Sequence, residues 1–463
     1  MSKQISRRAF LSGSSAFALT MATAPGKYHT AHAEYPGFAR EFTPHTKCFM
    51  DQYYEGILSI SRGIRDTQTG TIAQAMEKAY ELKQKGGRIF SYVNYGHYAM
   101  FAGSLDRPGQ PWVLPQCGIN PTKEEFDSMK KGDFLITDRI DPETIKVRER
   151  GVYVVGVTNN YFRFYKTPPE GLVPSRMETA IEDVSDLVID SYVPWDNGLV
   201  SAPQIPQFKL CPSSGISQFL VYWACTASLS NLIGTKGKGS STEPAERYLD
   251  LAYDRFLMIG TDRPKIDRVA EKWAERVLSR KARLLVYGHP QQGEVYGATG
   301  TNNMFVNDAV ICASSSMIAD AYTNRANELR ADDIVLIGAF TSDNDLEIKT
   351  ARHAREVGAY TVAFCPYATD GDSSGVLLFK EVDDAFNSYS DESEGVIAVK
   401  GFPKKVSPLS GLTGNLIHWM LTAQWTDHMA RRGEMPYYWQ GYHENGGMEY
   451  DSAVKPYFDK RGY

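Results

Sequence analysis

The stretch Asp332-Asp-Ile-Val-Leu-Ile-Gly-Ala-Phe-Thr-Ser-Asp-Asn-Asp-Leu-Glu347 reads as a strand, a polar loop and the start of a helix. The predicted strand, Asp333–Ile337, is a nearly continuous apolar run, which is typical of a strand buried on both faces of a sheet. A helical segment, Leu346–Glu356, and another apolar run, Tyr360–Phe364, come next. A strand, a crossover helix and a second strand predict a parallel sheet covered by helices.

The same order of segments occurs twice along the chain, at a spacing of roughly 200 residues. Ordered internal matches of this kind predict a tandem duplication. The matching segments are Arg88–His97 with Arg283–His289, Gly132–Thr137 with Asp332–Ile337, Arg148–Val155 with Arg355–Val362, Pro212–Ser217 with Pro408–Thr413, and Tyr222-Trp223 with His418-Trp419.

Each half is predicted to begin with two helices and to continue with five short strands. The predicted helices are Tyr53–Arg65 and Ile72–Gln84, then Ala245–Ile259 and Lys265–Leu278. The predicted strands of the first half are Arg88–Val93, Trp112–Leu114, Asp133–Thr137, Val152–Val157 and Leu187–Asp190. Those of the second half are Arg283–Tyr287, Ala309–Cys312, Asp333–Ile337, Tyr360–Phe364 and Ala385–Tyr389.

Composition places the chain among folded globular proteins and excludes several classes. It has 463 residues, of which 42% are hydrophobic and 23% charged. The formal net charge of −5 argues against a nucleic-acid partner, because no basic excess is present to displace counterions. After the N-terminus no run of about 18 apolar residues appears, so no stable membrane span is expected.

Residues 1–33 have the pattern of a twin-arginine export signal. Arg7-Arg8 precedes a mildly apolar stretch, and Ala31-His32-Ala33 matches a small-residue cleavage site. An ordinary secretory leader is the alternative. The pattern predicts export by the twin-arginine translocase, cleavage near Ala33-Glu34, and a periplasmic or secreted protein. Removing four Lys and Arg and no acid changes the net charge from −5 to −9.

The remaining chain divides into a first domain at 45–234, a linker at 235–242, a second domain at 243–433 and an aromatic tail at 434–463. The linker is flexible by composition. The tail suits packing or a subunit contact, with sugar stacking as the alternative. The cysteines of the whole chain form no CxxC motif, and several of them lie in apolar runs. They are therefore expected to be buried small hydrophobic residues rather than ligands of a metal site. One disulfide between two of them is the alternative in an oxidising compartment. The six are Cys48, Cys117, Cys211, Cys225, Cys312 and Cys365.

Small polar side chains and glycines follow the predicted strands of both halves. In an open parallel sheet, ligands bind outside the carboxyl ends of the strands. Hydroxyls and amides beside glycine at a helix N-terminus can hold an anion or the hydroxyls of a sugar. Turn and N-cap roles are the alternative for the same residues. The candidate ligand-binding residues are Asn94, Gly96, Gly288, His289, Gln292, Ser314, Ser315, Thr341, Ser342 and Asn344.

The chain resembles the sugar isomerase (SIS) domain family of phosphosugar isomerases and phosphosugar-binding modules. Residues 332–347 with Ala351–Ala363 are similar to the family's strand, Ser/Thr loop, helix and strand. Gly87–His97 resembles its first strand and phosphate-side loop. Asp186–Asp190 with Pro212–Gly215 resembles the segment before its last long helix. The resemblance covers most of the chain, as two domains.

This resemblance implies an α/β protein of two tandem flavodoxin-like α/β/α sandwiches, each with a mainly parallel five-stranded, Rossmann-like sheet. It implies a homo-oligomer that binds a sugar or sugar-phosphate-like molecule, and it adds Ser213 and Ser214 to the candidate ligand-binding residues. Neither a cofactor nor a metal is expected.

The chain departs from the family at its phosphate loop, which is usually of a Ser-x-Ser-Gly-x-Thr type. The second half has Phe340–Asp345, with acids beside the hydroxyls, and the first half has Thr137–Asp141, without serine. Adjacent carboxylates repel a phosphate dianion. A neutral sugar, another polyhydroxyl compound or a cationic ligand therefore stays open beside a phosphosugar.

Sugar isomerisation requires a base to move a proton between carbons and an acid to open the ring, usually a carboxylate and a histidine. Glu294 is the candidate base, with His97 and His418 as candidate catalytic histidines. The alternatives are a surface glutamate, a loop histidine and a core or interface histidine.

Two functions follow from these residues. The first is an exported SIS-like protein that binds a sugar or sugar derivative and isomerises it by carboxylate and histidine proton transfer. The second is a non-catalytic protein that binds or senses a carbohydrate derivative in the same cleft. A scaffold that only holds a dimer is a third interpretation. The sequence has no HExxH or Walker motif, no GxSxG motif between a predicted strand and a predicted helix, and no complete GxGxxG motif after a predicted strand. This argues against the enzyme classes that these motifs mark.

Overall fold

The computed structural model describes the chain at residues 47–93, 123–140, 142–158, 179–195, 197–288, 329–367, 375–390, 395–438, 440 and 446–463. The helices in these ranges are α1 (Phe49–Thr67), α2 (Thr69–Gln84), α3 (Lys123–Ser128), α4 (Pro142–Glu149), α5 (Ile181–Val184), α6 (Ser214–Gly234), α7 (Glu243–Gly260), α8 (Arg263–Arg280), α9 (Asp345–Val357), α10 (Ser410–Arg431) and α11 (Gly447–Arg461). A 3₁₀ turn spans Leu378–Lys380.

The strands are β1 (Ile89–Tyr92), β2 (Phe134–Thr137), β3 (Tyr153–Val157), β4 (Leu187–Ile189), β5 (Gly198–Ala202), β6 (Ile205–Pro212), β7 (Leu284–Gly288), β8 (Ile334–Gly338), β9 (Tyr360–Cys365) and β10 (Asp384–Asn387). One sheet has the order β1-β2-β3-β4 and the other the order β7-β8-β9-β10, and every neighbouring pair in both is parallel. Strands β2 and β8 are buried along their whole length. The predicted mixed α/β architecture with parallel sheets is therefore confirmed.

Each sheet has four strands in the part of the chain that the structure describes, whereas the sequence predicted five. The two additional predicted strands, Trp112–Leu114 and Ala309–Cys312, lie outside the described residues. Five-stranded sheets therefore stay a prediction. Strands β5 and β6 form an antiparallel hairpin that the sequence did not predict, with Val200 opposite Leu210.

Two long helices, α6 and α10, form the centre of the helical core, and their residues are buried on all sides over most of their length. Helix α1 buries a stripe that includes Tyr53, Ile57 and Ile64, at the spacing that places side chains on one face. Helix α1 packs against both α6 and α10, as does α7. The helices of the two halves are thus interleaved.

Several contacts of the first half recur at corresponding places in the second. The Tyr53 hydroxyl donates to the Pro212 carbonyl at 2.9 Å, and Tyr248 donates to Pro408 at the same distance. Both pairs join the first helix of a half to the residue two positions before its buried long helix. The same ends of the two halves are therefore held in the same way.

The sheets show the same recurrence at their amino and carboxyl ends. Arg88 donates to Asp133 and Arg283 donates to Asp333, each at 2.6 Å between Nη2 and Oδ2. Beyond the last strands, Tyr192 and Tyr389 have φ angles of 60° and 51°, a region that side chains other than glycine rarely adopt. In both cases the tyrosine N–H donates at 2.9 Å to the side chain two residues earlier, Asp190 or Asn387.

The predicted linker, 235–242, is a hydrogen-bonded turn between α6 and α7. The Asn231 amide donates to the Ser240 carbonyl at 2.8 Å, and the Ser228 hydroxyl donates to the Ser241 carbonyl at 2.5 Å. The Gly239 N–H donates to the Thr235 hydroxyl at 2.9 Å. These bonds fix a segment whose composition alone indicated flexibility.

The C-terminal tail contacts its own chain. Tyr450 of α11 meets Phe208 of β6 edge to face, with ring centroids 5.6 Å apart. The Arg461 guanidinium lies over the rings of Tyr437 and Tyr463, at 5.6 and 4.2 Å. Aromatic density in the tail thus serves packing within the chain at these residues.

Candidate functional site

The carboxyl edge of the second sheet begins with two aligned glycines. Gly288 at the end of β7 is in register with Gly338 at the end of β8. The polar loop follows Gly338 and Ala339, with Thr341 half-buried and Ser342 buried. Leu378 donates its N–H to the Ser342 carbonyl at 2.7 Å, which ties the loop to the 3₁₀ turn. Two strands without side chains at their ends and a fixed hydroxyl-bearing loop therefore lie side by side.

The loop ends where α9 begins. Asn344 is its N-cap, because the Asn344 Oδ1 accepts the Leu346 N–H at 2.9 Å. The positive end of the helix dipole favours negative charge here. Asp343 and Asp345 are exposed beside it and already supply that charge. The cap role of Asn344 is shown, and its ligand role stays a prediction.

Helix α10 packs against β9, and Asn415 and His418 are among the buried polar residues in its first turns. Asn415 and His418 are three residues apart, so they share one face of the helix. Both are buried, with 0% and 3% of their surface exposed. In the part of the chain that the structure describes, neither amide atom of Asn415 and not the Nδ1 of His418 has a hydrogen-bond partner.

Burial lowers the pKa of His418 to about 4, because it penalises the charged imidazolium. The ring is therefore neutral near pH 7 and has one donor and one acceptor nitrogen. No hydrogen bond joins it to a carboxylate within the described ranges. Its ring stands edge to face with Trp419 at 4.9 Å between centroids.

The carboxyl edge of the first sheet is different, because its polar groups bind one another. The Gln218 amide of α6 donates to Asp138 Oδ2 at 3.1 Å and to the Thr158 carbonyl at 3.3 Å. The Thr158 hydroxyl donates to Asp190 at 2.9 Å. Asp138, Thr158 and Gln218 have at most 3% of their surface exposed. This arrangement, the Asp138–Gln218 bridge, joins the ends of β2 and β3 to the helix.

The predicted ligand residues Ser213 and Ser214 fasten the start of α6 to Asn197. Their N–H groups both donate to the Asn197 Oδ1, at 3.0 and 2.8 Å. The Ser213 hydroxyl donates to the Asn197 carbonyl at 3.0 Å, and the Asn197 amide donates to the Ser214 hydroxyl at 3.0 Å. Their observed role is structural, and a ligand role for them stays a prediction.

The structure brings Gly288, Thr341, Ser342 and Asn344 to one sheet edge, as predicted from their positions after strands. His418 lies on the helix that packs against the same sheet. The other candidates lie outside the described residues: Asn94, Gly96, His97, His289, Gln292, Glu294, Ser314 and Ser315.

Asn415, Gln218 and Asp138 are not among the site residues predicted from the sequence. A signal existed in the matched segments that begin at Pro212 and Pro408. In these segments Gln218 corresponds to Gly414, and Phe219 corresponds to Asn415. From the first half to the second, a polar residue is replaced by a small one and the next residue, an aromatic one, by a polar one. This turn of the long helix therefore differs between the two halves.

Cys48, Cys211, Cys225 and Cys365 are free thiols, and burial raises the pKa of Cys211 and Cys225 well above the ordinary value.

Within the described ranges, no three His, Cys, Asp or Glu side chains are grouped as metal ligands would be. No helix there has the length and apolar character needed to cross a membrane.

No protein-family model matches the chain, and a search of curated proteins found no match. Among solved structures, the C-terminal domain of glucosamine-fructose-6-phosphate aminotransferase from Francisella tularensis is 8% identical, with a TM-score of 0.41, over 80% of this chain and 96% of that one. A candidate sugar binding protein from Salmonella typhimurium is 11% identical, with a TM-score of 0.44, over 80% and 98%. A candidate phosphosugar isomerase from Clostridium difficile is 10% identical, with a TM-score of 0.45, over 84% and 96%. Similarity at this level assigns neither a family nor an activity to this chain.

Proposed function

We propose that this chain binds a sugar or sugar derivative at the carboxyl edge of its second sheet. One observation carries the proposal: Thr341 and Ser342 lie in the loop after β8, and the last residue of β8, Gly338, is in register with Gly288. Hydroxyl side chains at such an edge, next to a helix N-terminus, suit a polyhydroxyl ligand. The resemblance of residues 332–347 to the SIS family supports the same ligand class.

The charge of the loop favours a neutral ligand. Asp343 and Asp345 flank the N-cap of α9 and are exposed. Their carboxylates oppose a phosphate dianion within a few ångströms, although exposure to water weakens this repulsion. A neutral sugar or an amino sugar is therefore the first expectation, and a phosphosugar is the second.

Two kinds of activity fit such a site. In the enzyme, Glu294 moves the proton between adjacent carbons, and His97 or His418 assists ring opening. In the binding protein, a neutral His418 only exchanges hydrogen bonds with the ligand.

The wider organisation belongs to the same proposal. The recurring contacts of Tyr53 with Pro212 and of Tyr248 with Pro408 support a tandem pair of SIS-like domains, at 45–234 and 243–433. Residues 1–33 are proposed to be a twin-arginine signal, which would place the mature protein in the periplasm or outside the cell. A homo-oligomer completes the proposal.

Thermal-shift screening of the mature protein against glucose, glucosamine, N-acetylglucosamine and their 6-phosphates tests the ligand class. We expect the neutral or amino sugars to raise Tm. Thr341→Val removes the half-buried hydroxyl at nearly constant shape, so the Kd of the best probe should rise roughly 5- to 20-fold.

Thr67→Val is the matched control, because the Thr67 hydroxyl donates to the Gly63 carbonyl in α1. This substitution should leave the Kd unchanged. Stabilisation by 6-phosphates alone would contradict the neutral-ligand expectation. Equal loss of affinity in both variants would contradict the placement of the ligand at Thr341. Conversion of aldose to ketose by the wild type would separate the enzyme from the binding protein.

A further inference from the structure

The two halves can be compared residue by residue where the buried long helix meets the sheet edge. Thr137 is in register with Tyr92 in the first sheet, and Ile337 is in register with Tyr287 in the second. The next residues, Asp138 and Gly338, therefore occupy corresponding places. Pro212 and Pro408 accept the same tyrosine hydrogen bond, so Gln218 and Gly414 correspond as well.

Both partners of the Asp138–Gln218 bridge are thus glycine in the second half. Gln218 donates to Asp138 at 3.1 Å in the first half, and both side chains are fully buried. Gly338 and Gly414 are also buried but supply no side chains. The contact that closes the first half is therefore absent from the second at both of its ends.

On the helix, the residue after the bridge position differs in the opposite sense, because the second half has the polar side chain there. Phe219 packs edge to face with Tyr222 at 6.0 Å between ring centroids. In the second half these positions are Asn415 and His418, and Asn415 is completely buried without a partner for either amide atom in the described ranges. A buried amide without partners costs stability, and Asn415 lies next to the helix position where the bridge of the first half has been replaced by glycine.

We propose that Gly338, Gly414 and Asn415 form an inner subsite that receives a neutral hydroxyl- or amide-bearing group of the ligand. The Asn415 amide has two donors and a carbonyl acceptor, which match a sugar hydroxyl or an acetamido group. The Asp138–Gln218 bridge closes the corresponding place in the first half. The chain therefore binds one ligand, in its second half. This inference rests on the proposed sugar-binding function.

The first test is Asn415→Leu, which keeps the size of the side chain and removes its polarity. N-acetylglucosamine and glucosamine are the probes, measured by calorimetry on the full mature chain. We expect a Kd at least about tenfold higher than in the wild type and a stoichiometry of one in the wild type. Without probe, Tm should rise, because the variant no longer buries an amide without partners.

The second test, Gly414→Gln, restores the side chain that the first half has at this position. Affinity for both probes should fall by a similar factor while circular dichroism stays that of the wild type. Gly70→Gln is the matched control, because a side chain added at Gly70 meets nothing within 4 Å. Its Kd should equal that of the wild type.

The results separate this inference from the function on which it rests. Probe binding with an unchanged Kd in Asn415→Leu, or with two sites per chain, overturns the inner subsite and leaves the sugar-binding function intact. If neither probe nor any other sugar binds the wild type, the proposed function fails. The inference is then judged without ligand: a lower Tm for Asn415→Leu overturns it, and a higher Tm supports a polar subsite of another ligand class.

Discussion

Asp133 illustrates how single residues hold the ends of the sheets. Burial raises the pKa of its carboxyl, but the Arg88 guanidinium and the N–H groups of Arg88 and Lys130 outweigh this and hold the pKa below its usual value. A carboxyl with a lowered pKa in the folded state stabilises the fold above its ordinary pKa. That contribution is lost as the pH falls through the lowered pKa.

Arg88→Met removes the charged partner and leaves the Asp133 carboxylate buried. The free energy of unfolding at pH 7 should fall by about 1–3 kcal/mol, less than for a wholly buried pair because Arg88 is partly exposed. With the lowering interaction gone, unfolding by acid should begin at a higher pH. Urea unfolding and an acid titration followed by circular dichroism measure both effects.

Lys85→Met is the matched control, because it breaks an ion pair with Glu81 on the exposed surface of α2. Such pairs contribute at most about 0.5 kcal/mol. An acid-unfolding midpoint that is the same in Arg88→Met and in the wild type would contradict the role given to Arg88.

At the scale of elements, the strands of both sheets were predictable because they are continuous apolar runs between polar residues. The hairpin was not. Its strands β5 and β6 alternate in burial over few residues, and the turn Pro203-Gln204 is not one of the Asn-Gly or Asp-Gly pairs that mark hairpins. The helices α1, α2, α7, α8 and α9 were predicted to within about four residues at each end. The remaining differences lie at the helix ends, where strong cap signals are lacking in the sequence.

The candidate site was predictable only where it follows a strand. Thr341 and Ser342 are fixed by their position after β8, which the sequence shows directly. Gln218 and Asp138 are 80 residues apart, and their contact depends on how a helix crosses the sheet edge. Asn415 is a candidate site residue only because α10 is buried on all sides, and a local sequence pattern does not indicate that burial.

The interleaved helices predict coupling between the two sheets. Tyr53→Phe removes one buried hydrogen bond, to Pro212, and should lower the free energy of unfolding by about 1 kcal/mol. Since α1 also packs against α10 of the other half, native-state hydrogen exchange should show β2 and β8 losing protection equally. Tyr253→Phe, which removes an exposed contact with Arg62, is the control. Protection lost in β2 alone would show two independently unfolding halves.

At the scale of the whole molecule, the proposed leader separates a basic N-terminus from an acidic remainder. It contains four Lys and Arg and no acid, so the chain beyond it carries a net charge of −9 rather than −5. Residues 1–33 also contain the only arginine pair placed before a mildly apolar stretch and an Ala-x-Ala end. The proposal of export through the twin-arginine translocase depends on that pair.

Replacing Arg7 and Arg8 together by Lys should retain the full-length chain in the cytoplasm, because the translocase recognises the arginine pair rather than its charge. Fractionation of cells followed by immunoblotting measures the mature and precursor forms. Lys27→Gln is the control: it lowers the charge of the leader and leaves the pair, so export should continue. Undiminished export of the double variant would contradict the twin-arginine assignment.

The hydrogen-bonded turn at 235–242 makes the packing between the two halves independent of protein concentration. It joins α6 directly to α7, and those helices pack across the boundary between the halves. Two separate chains would form the same packing only above their dissociation constant. Joined by this turn, the halves meet at a high effective concentration set by a short connection. The shared helical core therefore persists at any dilution, and the second half, where the ligand site is proposed, keeps its framework when the protein is scarce.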